Sequence, residues 1–195
     1  MKADRYEIRF SGTGGQGIIT AAVIFAEAAA LYESKYVCQT QSYGPEARGG
    51  RCRAEVVVSN REIDYPQAMQ LDMLLAMSQA ACDAYFYDFK PNGLLIIDST
   101  LVDQVPTSRV VAIPFTRIAR ETLGKVQVAN MVALGAVGQF CEAVALQSIE
   151  KALLARVPKG TKSINRQAFQ AGIKAAKKMS LHLLPRSIYP EDEDV

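Results

Sequence analysis

Three glycines spaced as G-x-G-x-x-G, Gly12, Gly14 and Gly17, follow an apolar run and precede an alanine-rich stretch in RFSGTGGQGIITAAVIFAEA. Glycines let a chain turn tightly and lie bare, so that a phosphate can reach backbone N–H groups, and the helix start that follows adds roughly half a positive charge. Thr13, Gly15 and Gln16 complete the turn, and the Gln16 amide is of a kind that can face a ligand. A second glycine-containing stretch, SYGPEARGGR, sets Arg48 and Arg51 on either side of a Gly-Gly pair. Exposed amides flanked by guanidinium groups suit an anion or a tightly docked partner. The chemistry on offer is anion binding, with Gly12, Thr13, Gly14, Gly15, Gln16 and Gly17 as the cradle and Arg48 and Arg51 as counter-charges.

What is missing narrows the ligand. A dinucleotide site carries an acidic residue near the end of its second strand to hold the ribose hydroxyls. Here that strand ends in QTQSYG, and the next carboxylate is Glu46, inside the following loop. No G-K-[ST] follows the glycines, so a P-loop lacks its lysine and its metal-holding hydroxyl. Asp64, Asp72, Asp83, Asp98 and Asp103 are scattered over strand ends and turns, where carboxylates commonly cap. Ser11, Ser42 and Ser78 stand outside a G-x-S-x-G elbow, and His182 is the single histidine. Cys38, Cys52, Cys82 and Cys141 show no C-x-x-C pair, which argues for reduced, buried thiols rather than a cluster or a zinc site. No residue earns a catalytic assignment.

The elements that must position the glycine turn are legible from apolar periodicity. Strands are expected at Tyr6 to Ser11, Tyr36 to Ser42, Arg53 to Ser59, Leu71 to Met77, Gly93 to Ser99 and Arg109 to Pro114. The short apolar runs among them suit strands covered on both faces. Helices are expected from Gly17 to Ser34, over SQAACDAYFYDF, and at Phe115 to Leu123, Ala129 to Ala145, Ser148 to Ala155 and Asn165 to Met179. Asn165 is the expected N-cap of the last, and Lys174, Lys177 and Lys178 suit the negative end of its dipole. Alternating strands and helices imply a three-layer, Rossmann-like α/β fold: a mostly parallel sheet, helices on both faces and a helical C-terminal part. In such a sheet both glycine loops should stand at the carboxyl ends of neighbouring strands and face one crevice. One domain over residues 1–180 and a proline-rich, acidic tail over 181–195 are expected.

The 195 residues, 49% hydrophobic and 22% charged, suit a globular domain, and a net charge of +2 without a long Lys/Arg block speaks against nucleic acid. MKADRYEIRF lacks an apolar signal core, and no apolar stretch approaches the ~20 residues of a membrane span. A cytoplasmic protein is the expectation.

Taken together, strand-GTGGQG-helix, SYGPEARGG, AEVVVS with the later IDYP, and NMVALGA at Asn130 to Ala136 resemble the gamma subunit of 2-oxoacid:ferredoxin (acceptor) oxidoreductases. The resemblance spans residues 6–178, and the EARGG form followed by IDYP looks most like the 2-oxoglutarate branch. Pyruvate, branched-chain and indolepyruvate relatives are less similar. It implies a heteromeric enzyme that uses thiamine diphosphate, Mg and iron-sulfur clusters to decarboxylate a 2-oxoacid, reduces ferredoxin or another acceptor, and releases acyl-CoA. It also implies that these cofactors sit on alpha, beta and ferredoxin-like delta partners. This chain itself lacks the G-D-G…N segment for thiamine diphosphate. What the resemblance leaves to it is a structural role and contact with CoA at the glycine turn, with an apolar patch left exposed by absent partners and self-association when isolated. A stand-alone nucleotide-binding module or sensor is the competing expectation.

Overall fold

A computed structural model of the protein describes residues 4–43 and 50–189. Six strands form one sheet: β1 (Arg5–Thr13), β2 (Tyr36–Tyr43), β3 (Arg51–Ser59), β4 (Leu71–Ala76), β5 (Phe89–Asp98) and β6 (Val110–Ile113), in the order β2-β3-β1-β4-β5-β6. Pairings β1–β4, β4–β5 and β5–β6 are parallel, whereas β3 runs antiparallel to both β1 and β2. The sheet is thus mostly parallel, as expected, but β1 and β2 are not neighbours. β3 returns from β2 and inserts between them, and its start lies beside the end of β1, where Gly14 N–H donates to Gly50 O; residues 44–49 of the second glycine loop lie outside the described residues.

Helices α1 (Ile18–Glu33), α3 (Phe115–Leu123), α4 (Ala129–Phe140), α5 (Leu146–Arg156) and α6 (Lys162–Ala176) cover one face and share a core with Ile8, Phe10, Val56, Leu75 and Ile96. On the other face, α2 (Gln79–Tyr85) and the chain around Ile188 close a smaller core over Leu74, Leu95 and Ile97. Alternating side chains of β4 and β5 enter the two cores in turn, which is why these strands read as continuous apolar runs. Beneath β1 and β3 the second face is polar, with Glu7, Arg9, Ser11, Glu55 and Ser59 all buried.

Helix α4 is apolar all round and nearly wholly buried. It crosses α6 so closely that a Cβ on Gly135 would meet Phe169 O at 2.1 Å, and one on Gly172 would meet Val132 O at 1.8 Å. The NMVALGA signature is therefore a packing motif at its glycine.

The helix expected over SQAACDAYFYDF ends at Tyr85, since Phe89 already opens β5, and boundaries of α4 and α6 also differ from the sequence expectation. α4 stops at Phe140, not Ala145, because the end of α1 captures the next residues: Glu33 accepts Ala145 N–H, and Lys35 Nζ donates to Ala143 O at 2.7 Å. Asn165 is not an N-cap. α6 starts earlier, after a 3-10 turn at Lys159–Thr161, and Asn165 Nδ2 donates back to Thr161 O at 2.9 Å, the bond open to a short polar side chain inside a first turn. Residues 181–189, grouped with the tail by sequence, are fastened. Ile188 is 4% exposed, its N–H bonds Pro91 O at 2.7 Å, and Arg109 bonds Pro185 O, Gly93 O and Asn92 O.

β2 forms one edge of the sheet, and YVCQTQSY carries neither a charge nor a proline. Tyr36 and Tyr43 at its ends are exposed, as are Leu31 and Tyr32 at the end of α1.

Candidate functional site

The turn between β1 and α1 is held by its own side chains. Gln16 Oε1 accepts Thr13 N–H at 2.7 Å while Gln16 Nε2 donates to Met77 O at 2.9 Å, so this amide ties the ends of β1 and β4 together. Gly14 N–H donates to Gly50 O at 2.9 Å, and Gln16 N–H to Thr13 O at 3.1 Å. Gly15 (φ 95) and Gly17 (φ 72) occupy the left-handed region, where a side chain is strained. Asn130 Nδ2, from the first turn of α4, donates to Gly17 O at 3.0 Å, and a Cβ on Gly17 would stand 2.4 Å from that nitrogen. Among the described residues the N–H groups of Gly15 and Gly17 meet no acceptor. Of the six cradle residues, then, Gly12 lies within β1 opposite Cys52; Thr13, Gly14 and Gln16 have their amides engaged, and Gly15 and Gly17 have theirs to offer.

Beside this turn lies a cleft of about 340 Å³ lined by Gly15, Gln16, Met77, Leu101, Thr116, Arg120, Val126, Gln127 and Ala129. Its place follows from topology. From β1 the chain crosses toward β2 on one side, while β4 lies on the other, and the ends of β1, β4 and β5 open at this point of reversal. Such switch points are where open α/β sheets bind ligands. Among the described residues the lining is mostly apolar, contains no carboxylate and carries one cation, Arg120.

The wall that bears Arg120 is set by a buried acid. Asp98, fully buried at the end of β5, accepts Thr116 N–H at 3.0 Å, the Thr116 hydroxyl and Thr100 N–H at 3.0 Å. With Pro114 at the N-cap lacking a side-chain acceptor, Asp98 does the capping of α3 from the sheet. That bond set aims α3 along the cleft. Gly124 then reverses the chain, and the 3-10 turn at Val126–Val128 completes the wall.

The second arginine loop is placed differently. Arg48 lies outside the described residues. Arg51 begins β3 opposite Thr13, and the alternation of the strand puts it with Arg53 and Glu55 on the polar face, so it does not line the cleft. On that face Arg9, 1% exposed, donates to Glu55 Oε1 at 2.8 Å and to Tyr85 O and Tyr87 O, with its guanidinium 4.3 Å from the Tyr87 ring centre. Glu7 and Glu55 hold the IDYP-containing connection through the N–H groups of Ala68, Met69 and Gln70. These buried charges are architectural.

No activated nucleophile stands near the turn. Burial pushes the Cys52 thiol up, and burial, then the Asp83 carboxylate, push Cys82 up to about 11. Burial also raises Cys141 and its hydrogen-bonding neighbour Tyr6. Among the described residues no cluster of His, Cys, Asp and Glu is placed to hold a metal, and no helix is long and apolar enough to cross a membrane. Reading by residue type found the turn but missed Arg120, Gln127 and Asn130. Arg120 enters only through the aim of α3 and Gln127 only through the path of the chain after Gly124; Asn130 lay in a recognised motif whose contact with Gly17 is a tertiary fact.

A glycine turn beside a mostly apolar cleft, at the switch point of a mostly parallel sheet with helices on both faces, defines the class as an α/β domain of Rossmann-like build. Residues 7–175 match the family model described as pyruvate ferredoxin/flavodoxin oxidoreductase, and the chain belongs to that family as a gamma-type subunit. It is 49% identical over 179 residues to the 2-oxoglutarate synthase subunit KorC of Methanocaldococcus jannaschii, covering 90% of this chain and 96% of that one. The crystal structure of the keto/oxoacid ferredoxin oxidoreductase gamma subunit of Geobacter sulfurreducens is 45% identical, with TM-score 0.80 over 89% of this chain and 99% of that chain. The same fold, at 24% identity and TM-score 0.80, spans 92% of this chain but only 32% of a chain of the Magnetococcus marinus 2-oxoglutarate:ferredoxin oxidoreductase, solved with 2-oxoglutarate, coenzyme A and succinyl-CoA.

Proposed function

We propose that this chain is the noncatalytic gamma subunit of a complex that oxidatively decarboxylates 2-oxoglutarate. In that reaction the oxoacid loses carbon dioxide, its acyl group passes to the CoA thiol, and two electrons go to ferredoxin or a similar acceptor. Thiamine diphosphate, Mg and the iron-sulfur clusters belong to alpha, beta and delta partners; among the described residues no grouping of Cys, His, Asp and Glu is placed to hold a metal. The part of this chain is to receive CoA, with a phosphate at the free Gly15 and Gly17 amides. The observation that carries this reading is the cleft at the switch point, open beside those amides and, among the described residues, lined by no carboxylate. The same fold makes up about a third of a chain of the Magnetococcus marinus enzyme, which supports a place for this domain beside other parts of such a complex. The exposed Leu31, Tyr32, Tyr36 and Met69 supply apolar surface for partners.

The test is affinity purification of this chain from its own cells, with the co-eluting chains sequenced and the eluate assayed for CoA-dependent viologen reduction by several 2-oxoacids. Partners with thiamine and cluster motifs and a preference for 2-oxoglutarate are expected. A chain that elutes alone and inactive would sink the proposal and leave the turn as a free-standing nucleotide site.

A further inference from the structure

We infer that Arg120 is a ligand-binding residue: its guanidinium pairs with a phosphate of a ligand whose uncharged part lies along the apolar wall of the switch-point cleft. This rests on the reading that the cleft receives CoA. Arg120 is exposed in the last turn of α3, and its side chain meets no acceptor among the described residues, whereas Arg5, Arg9, Arg109 and Arg156 are each bonded to the protein. It stands on the same cleft as Gly15 and Gln16, so one ligand meets the guanidinium and the free Gly15 amide together. Among the described residues no lining carboxylate competes for the charge, and Arg51 is on the other face of the sheet. Leu101 and Val126 are each 41% exposed at this cleft, large apolar side chains awaiting cover by the uncharged part of a ligand. The volume, about 340 Å³, falls within the range of small-molecule pockets. The three walls are preset by the Asp98 cap, the Gln16 bridge and the start of α4, so the pairing demands little rearrangement.

The experiment uses the purified complex carrying Arg120→Met, Arg120→Lys or Gly15→Asp, with viologen reduction measured against CoA and against 3′-dephospho-CoA at saturating 2-oxoacid. Arg120→Met is expected to raise the KM for CoA about tenfold, the loss of one charge-assisted hydrogen bond, with kcat and the 2-oxoacid KM unchanged. Lysine should restore part of it. A penalty that vanishes with 3′-dephospho-CoA assigns the pairing to the 3′-phosphate, and one that persists assigns it to the diphosphate. If Arg120→Met leaves the CoA KM alone while Gly15→Asp raises it, Arg120 is a surface residue at a helix end and the CoA reading survives. If neither moves it, the CoA reading falls and the role of Arg120 with it. A lower kcat with loss of subunits in Arg120→Met would mark a structural part instead and overturn the inference.

Discussion

At the scale of single residues, the turn is braced before any ligand arrives. Gly17 is its tightest point, with a left-handed backbone against the Asn130 amide. Gly17→Ala should cost about 2 kcal/mol or more in urea unfolding, from the strained φ and the displaced Asn130 together. Asn130→Ala should cost about 1 kcal/mol, and its larger effect should be on CoA KM through a loosened turn. The buried pair beneath the sheet behaves otherwise. Arg9→Met leaves Glu55 only the more distant Arg53, 3.7 Å from its Oε1, and is expected to destabilise by about 3 kcal/mol, much of which returns when Glu55 is made apolar too. Cys82 links stability to alkaline pH. Its thiol, pushed up to about 11 from the ordinary 9.0, holds its proton more tightly folded than unfolded. The resulting stabilisation is complete below pH 9 and is lost as pH rises through about 11. Unfolding curves between pH 8 and 11 should fall less steeply for Cys82→Ala.

At the scale of elements, the crossing of α4 and α6 anchors the helical layer. Gly172→Ala forces a methyl against Val132 O and should lower stability by about 3 kcal/mol, checked by thermal unfolding, since neither backbone can yield without moving its helix. The element identities were mostly legible in the sequence. Strong apolar runs such as LDMLLA and GLLIID follow from burial on both faces, and β1 announces itself by the alternation of Ile8 and Phe10 with Glu7, Arg9 and Ser11. Endings such as that of α4 were illegible because Glu33 and Lys35, more than a hundred residues away, decide them. Strand order was hidden for a related reason: nothing local to RCRAEVVVS says that it will pair with strands on both sides. The site divided likewise. The glycine turn is a local grammar of small residues, whereas Arg120 reaches the cleft only because Asp98 aims α3.

At the scale of the whole molecule, one face of the sheet is strapped down while an edge is bare. Residues 181–189 are fastened over the second core, and Arg109 is the buckle. At the bare edge, β2 offers an uncharged row of backbone groups with exposed tyrosines at both ends. Native edges are commonly guarded by charge, proline or a bulge, and this one has none of these. The isolated chain should therefore self-associate, and Gln41→Lys, which places a charge on the exposed end of that strand, should shift it toward monomer in light scattering.

An unguarded edge also bears on how the cell must supply the subunit. Copies made in excess of their partners meet one another with matching strands exposed, and each such encounter offers a template for the next. Balanced dosage becomes a condition of solubility for a chain of this shape. Synthesis alongside its partners, or joining to them in one polypeptide, removes the interval during which an orphan copy is at risk.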